Sequence, residues 1–66
     1  MFTYFPEYDI LISHATFTYA ETISTSDKYP MQEHVIVRFV GGDYVEFPPD
    51  VTVNEIYNRL ERSTDG

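Results

Sequence analysis

The sequence predicts an α+β fold: a small antiparallel sheet of three to four strands in meander order, packed by one C-terminal α-helix. Three observations carry this expectation. A helical apolar stripe runs through the last fifteen residues, two β-rich runs flank Gly41-Gly42-Asp43, and a stretch of alternating threonines and aromatics lies upstream. The whole chain, 1–66, reads as one acidic domain with no repeat, linker or low-complexity tract.

The first thirteen residues are expected to form an edge strand or an arm. Pro6, Glu7 and Asp9 would suit a first helical turn, but Ile10-Leu11-Ile12 is β-branched enough to favour a fourth short strand within Tyr8 to Ser13. From Ala15 to Ile23, Thr16, Thr18, Ala20 and Thr22 alternate with Phe17, Tyr19, Glu21 and Ile23. That period of two predicts a strand with one largely apolar face. Ser24 to Pro30 is polar and reads as the loop returning the chain to the next strand.

His34 to Val40 and Tyr44 to Phe47 read as the arms of a hairpin. A two-residue loop would set Arg38 opposite Val45 and mix charge into both faces. A three-residue loop, Gly41-Gly42-Asp43, gathers Val35, Val37, Phe39, Val45 and Phe47 on one face and Ile36, Arg38, Val40, Tyr44 and Glu46 on the other. It also predicts Arg38 directly opposite Glu46. Pro48-Pro49 cannot donate to a ladder, so the strand ends there.

A helix is expected from Val53 to Arg62, because Val53, Ile56, Tyr57 and Leu60 fall at i, i+3, i+4 and i+7 among polar residues. Thr52 and Glu55 have capping-box spacing, Val51 and Ile56 occupy staple positions, and Glu55 with Arg59 predicts an i, i+4 ion pair. Leu60 is expected to be buried, and residues 63–66 to form a frayed tail.

The charge balance narrows the function classes. Eleven Asp and Glu against four Lys and Arg give a net charge of -7, and only Lys28 of the basic residues precedes Arg38. No basic patch can be assembled, so direct binding of nucleic acid or of an anionic membrane is disfavoured. The natural counterpart is a target protein with a basic surface, although acidity also serves solubility. No apolar run approaches the ~20 residues of a membrane span, and Met1 to Tyr8 lacks the pattern of a secretory signal, so a cytoplasmic setting is the default expectation. The chain has no cysteine, which removes disulfides, thiolate zinc sites and thiol nucleophiles.

Catalytic patterns are missing. His14 and His34 stand twenty residues apart without metal-site spacing, and Glu33 points to the opposite face of a strand from His34. Ser13, Ser24 and Ser26 have no nucleophile-elbow context, and Gly41-Gly42 is followed by neither a lysine nor a helix start. Neither an enzyme nor a cofactor or metal site is expected.

Aromatic residues are the stronger signal, with six Tyr and five Phe in 66 residues. Phe17, Tyr19, Phe39, Phe47 and Tyr57 fit the expected interior. Phe2, Tyr4, Phe5, Tyr8, Tyr29 and Tyr44 are left for the surface, where such side chains anchor interfaces. The expected function is therefore a small protein-binding module, an inhibitor or regulator occupying a basic site on its target. It would mimic DNA if that site normally holds nucleic acid. Glu7, Tyr8, Asp9, Asp43, Tyr44 and Glu46 are its expected contacts. The alternative is a homodimeric structural or assembly protein whose contact is made by Phe2, Tyr4 and Phe5. A homodimer is expected in either case, because small domains without staples gain stability by associating.

Overall fold

The computed structural model describes the backbone of residues 1–65 and the side chains of residues 1–62. Five strands and one helix follow in order: β1 (Phe2–Phe5), β2 (Ile10–Ser13), β3 (Phe17–Ile23), β4 (His34–Phe39), β5 (Tyr44–Glu46) and α1 (Val53–Asp65). They form an α+β domain with two antiparallel sheets, a β1-β2 hairpin and a β3-β4-β5 meander. The helix runs on to Asp65, past its expected end at Arg62 and through most of the expected tail at 63–66, of which residue 66 lies outside the described residues.

The segment expected as an edge strand or arm is a hairpin of its own, which does not join the larger sheet. A tight turn makes the reversal. Tyr8 N–H donates to Phe5 O (3.1 Å), with Pro6 at the position that its fixed φ favours, and Asp9 then takes a left-handed φ of 56°. Aspartate tolerates that conformation better than most residues, and Tyr4 Oη donates to its Oδ1 (3.0 Å). The reversal pairs Phe5 with Ile10 and Thr3 with Ile12.

The β4-β5 loop has three residues, as expected, but they are Val40-Gly41-Gly42. Phe39 N–H donates to Asp43 O (2.9 Å), so Asp43 belongs to the ladder. Gly42 N–H donates to Phe39 O (3.2 Å), and Gly41 and Gly42 both adopt φ 93°. A type II turn requires positive φ at its second central residue, and only glycine adopts it without strain. The register is thereby displaced by two residues from the expected one. Arg38 faces Tyr44 and Ile36 faces Glu46, so the predicted Arg38–Glu46 opposition is corrected. A displacement of two leaves the faces unchanged, and Val35, Val37 and Phe47 are buried as expected.

The core joins the inner face of the meander to the hairpin and the helix. Phe5 and Ile12 from the hairpin, Val35, Val37 and Phe47 from the meander, and Val51 and Ile56 from the helix and its approach form one buried cluster. Phe47 sits edge-on to Phe5 (centroids 5.0 Å) and to Tyr8 (6.0 Å).

The helix begins where the capping signal predicts. Thr52 Oγ1 accepts from Glu55 N–H (3.1 Å), and Val51 and Ile56 are both buried. The expected Glu55–Arg59 pair does not form, because Arg59 makes a two-armed bridge to Glu7 of the β1-β2 turn while its guanidinium lies over the Phe5 ring (4.9 Å). That interaction orients the helix. Tyr57 is left exposed and Leu60 only half-buried, where both were expected inside. Thr52→Ala should lower stability by about 1 kcal/mol, the usual worth of a threonine cap. A urea midpoint identical to wild type would show that the cap does not hold the helix start.

Candidate protein-interaction surface

The outer face of the meander draws on all three of its strands. β3 carries a bulge between Phe17 and Tyr19, where Thr18 is the extra residue and its Oγ1 donates to Arg38 O (2.8 Å). A bulge shifts the side-chain alternation by one. Phe17 therefore turns inward beside Phe39, whereas Tyr19, Glu21 and Ile23 turn outward. The expectation of Tyr19 in the interior is corrected by this insertion, since a strict period of two had placed it on the face of Phe17.

Across the three strands Tyr19, Arg38 and Tyr44 stand in one row. Both tyrosines are about half exposed or more, at 49% and 58%. The Arg38 guanidinium lies 6.0 Å from the Tyr44 ring and donates through Nε to Glu21 (3.2 Å). At the hairpin end of this row Val40 and Asp43 are exposed.

The other end of the face is closed by the loop at 24–33. His34 is buried there. Its Nδ1 donates to Gln32 O (3.0 Å), and its Nε2 meets Glu46 Oε1 (2.8 Å) and Ser26 Oγ (3.2 Å). The Tyr29 ring covers the imidazole at 4.7 Å between centroids. With Nδ1 donating to a carbonyl, the short contact from Nε2 to a carboxylate needs a second ring proton, so the arrangement is that of an imidazolium–carboxylate pair. Burial pushes the His34 pKa down, but hydrogen bonds to Glu46 and Gln32 and the Glu46 charge outweigh it and hold the pKa above 6.5. Hydrogen bonds from Ser26 and His34 in turn hold the Glu46 carboxyl below its ordinary value. Ser26 and Glu46 share one ring nitrogen, which is not the relay a nucleophilic triad requires.

The predicted contact residues are dispersed. Glu7 is engaged by Arg59, whose hydrogen bonds lower its pKa to about 2. Tyr8 packs half-buried on Phe47, its pKa raised by desolvation and by the charges of Glu55, Glu7 and Asp50. Asp9 accepts from Tyr4, and that hydrogen bond raises the Tyr4 pKa. Asp43 and Tyr44 are exposed as expected. Glu46 is not, because its side chain is 13% exposed and is committed to His34. Among the described residues no hydrogen bond or ion pair links Glu7, Tyr8 or Asp9 to Asp43, Tyr44 or Glu46. Of the predicted dimer contacts, Phe2 and Tyr4 point outward beside Leu11, whereas Phe5 is fully buried in the core. Phe5 is therefore corrected from a dimer contact to a core residue. It alternates with Tyr4 along β1, and the inward set is the one that meets Phe47.

Of the chain's four Lys and Arg, Arg38 and Arg59 are held by Glu21 and Glu7. Asp9, Asp27, Glu33, Asp43 and Asp50 are exposed and form no ion pair among the described residues. An open, mostly apolar cleft of about 320 Å³ lies between the helix and the turn into β3, lined by His14, Phe17, Tyr57, Leu60 and Glu61. His14 Nε2 is engaged there by Thr3 Oγ1 (2.5 Å). Among the described residues no buried side-chain nitrogen or oxygen lacks a partner, no group of three or more metal-ligating side chains converges, and no helix is long and apolar enough to cross a membrane. Comparison with protein-family models, with curated proteins and with solved structures finds no match for this chain.

Proposed function

We propose that this chain is a small protein-binding module, an inhibitor or regulator acting in the cytoplasm, whose outer meander face seats on a basic surface of a target protein. One observation carries the reading. The face presents two exposed tyrosines next to an arginine already neutralised by Glu21, with Asp43 at its rim, on a chain whose remaining exposed charge is mostly acidic. Buried aromatic anchors with a charged rim are the anatomy of a protein interface. Where the target's basic site holds nucleic acid, the module competes with it. The His34 cluster serves this role as architecture, since it holds the loop at 24–33 against one end of the face.

The test uses a target captured on the immobilised protein and then titrated at two salt concentrations. Wild-type association should slow as salt is raised, because steering between opposite charges is screened. Asp43→Lys should slow association and flatten that salt dependence, and Tyr44→Ala should weaken binding by more than about 2 kcal/mol if the ring is an anchor. Competition by nucleic acid identifies a DNA-mimicking inhibitor. Affinity unchanged by both substitutions at both salts would remove this reading.

A second reading, a homodimeric structural or assembly protein, is favoured by the apolar area that one fold leaves uncovered. Phe2, Tyr4 and Leu11 on the hairpin and Tyr57 on the helix are each more than half exposed. Sedimentation of the chain over a range of concentrations checks it.

A further inference from the structure

The free edge of β3 offers backbone groups for pairing that neither the charge nor the aromatic surface would suggest. β3 is an outer strand whose single ladder partner is β4. In the β4-β5 ladder Val35 accepts from Phe47 N–H (2.9 Å) and Phe39 donates to Asp43 (2.9 Å). Antiparallel alternation then leaves His34, Ile36 and Arg38 to bond β3, where they face Ile23, Glu21 and Tyr19. Ala20 and Thr22 lie between those positions and direct their N–H and C=O groups to the open side.

Proteins blunt such edges with lysine, proline, β-bulges, inward-pointing charge or a covering segment. β3 contains no lysine and no proline, its bulge at Thr18 lies before the regularly paired run from Tyr19 to Ile23, its charged Glu21 faces outward and is paired with Arg38, and Tyr19 and Thr22 are exposed. The strand is also self-complementary. When two copies run antiparallel with Ala20 opposite Ala20, each Ala20 N–H reaches the other's carbonyl across a two-fold axis. Tyr19 then faces Glu21 of the other copy, so like charges do not stand directly opposite.

We infer that β3 docks a second copy of this chain edge to edge, joining the two meanders into one six-stranded sheet. The outer faces become continuous, so the Tyr19–Arg38–Tyr44 rows of both copies lie on one surface. This inference rests on the second reading above, association of identical copies, and is independent of the basic target.

Sedimentation of the full chain up to high micromolar concentration tests it with variants that separate edge pairing from folding. Wild type should run as a dimer. Tyr19→Glu sets a glutamate opposite Glu21 of the other copy twice and should weaken association by about tenfold, whereas Tyr19→Lys should preserve or strengthen it. Within one chain the order is reversed, because position 19 faces Arg38, so thermal melting distinguishes an effect on folding from one on pairing. Ala20→Pro removes the free donor while leaving the β4 ladder intact and should give a folded monomer. If that variant fails to fold, the Tyr19 pair still decides. A wild type that stays monomeric overturns both the inference and the second reading. A dimer that resists Tyr19→Glu, or one that dissociates with Phe2→Ser and Tyr4→Ser instead, overturns the inference alone and places the contact on the hairpin.

Discussion

Phe47→Ala should cost about 3–5 kcal/mol, the range for removing a fully buried ring, and should leave the chain largely unfolded at room temperature. Total stability scales at roughly 0.05–0.15 kcal/mol per residue, so a chain of 66 residues has little to spare. The loss is concentrated at this residue because of where it stands. Phe47 is the last inward side chain of the β5 arm, and its ring meets Phe5 and Tyr8 of the N-terminal hairpin edge-on. No backbone ladder joins the hairpin to the meander, so side-chain packing such as this holds the two sheets together. Phe47→Leu should recover part of the loss, and Tyr44→Ala on the outer face should change the melting temperature by little. A Phe47→Ala protein that melts within a few degrees of wild type would show that the sheets are joined elsewhere.

The parts of this fold that local chemistry encodes were legible in the sequence. The helix start followed from Thr52, Glu55 and the stripe through Ile56, and the inward and outward faces of β4 and β5 followed from their alternation. Register was harder, because a loop of three residues beside two glycines can begin at Val40 or at Gly41 and sort the faces equally well. The β3 bulge was invisible to a strict period of two and reversed Tyr19. Glu21 on the supposedly apolar face was the available clue. The β1-β2 hairpin had a readable turn in Pro6 to Asp9, but its central residues are as suited to a helix start as to a reversal. The candidate site was least legible. Ser26, Gln32, His34 and Glu46 come from a loop and two strands, and the bridge from Arg59 spans the chain to Glu7. Periodicity does not report such contacts, which is why Glu46 was expected at the surface.

The two arginine bridges also bear on how the acidity is to be read. Arg59 fastens the helix to the β1-β2 turn, and Arg38 lies across the outer face between Glu21 and Tyr44. Both cations act within the molecule, each cancelling one carboxylate, so the net charge of -7 is unchanged and a partner still meets the acidic excess of the composition. Exposed ion pairs are individually worth little to stability. Their effect here is to decide which charges remain available outside.

The buried His34–Glu46 pair should make stability depend on pH with a sign opposite to that of a histidine buried in neutral form. His34 has its pKa raised above 6.5 in the fold, so its contribution is complete below about pH 6.5 and is lost as the pH rises through the higher folded-state value. Glu46 has its pKa lowered from 4.5, so its contribution is complete above about pH 4.5 and is lost as the pH falls through the lower folded-state value. The pair therefore supports the fold most between those two pH values. Removing the ring by His34→Ala leaves a largely buried carboxylate without its cation and should cost about 3–5 kcal/mol within that window. Glu46→Gln separates charge from shape. The amide can donate to a neutral Nε2 while Nδ1 still donates to Gln32, so hydrogen bonding survives, but of the groups that favour a charged ring only the Gln32 carbonyl remains and desolvation outweighs it. The His34 pKa should then fall below 6.5, and stability through that range should rise with pH instead of declining. An NMR titration of the His34 ring reads the shift directly, and urea unfolding at about pH 5.5 and pH 8 reads its consequence for stability. Comparing wild type with Glu46→Gln at each pH largely cancels the general self-repulsion of an acidic chain, which also changes with pH. A His34 resonance that titrates at the same pH in both proteins would show that the imidazole is not held as a cation, and the loop at 24–33 would then be secured by Gln32, Ser26 and Tyr29 without help from charge.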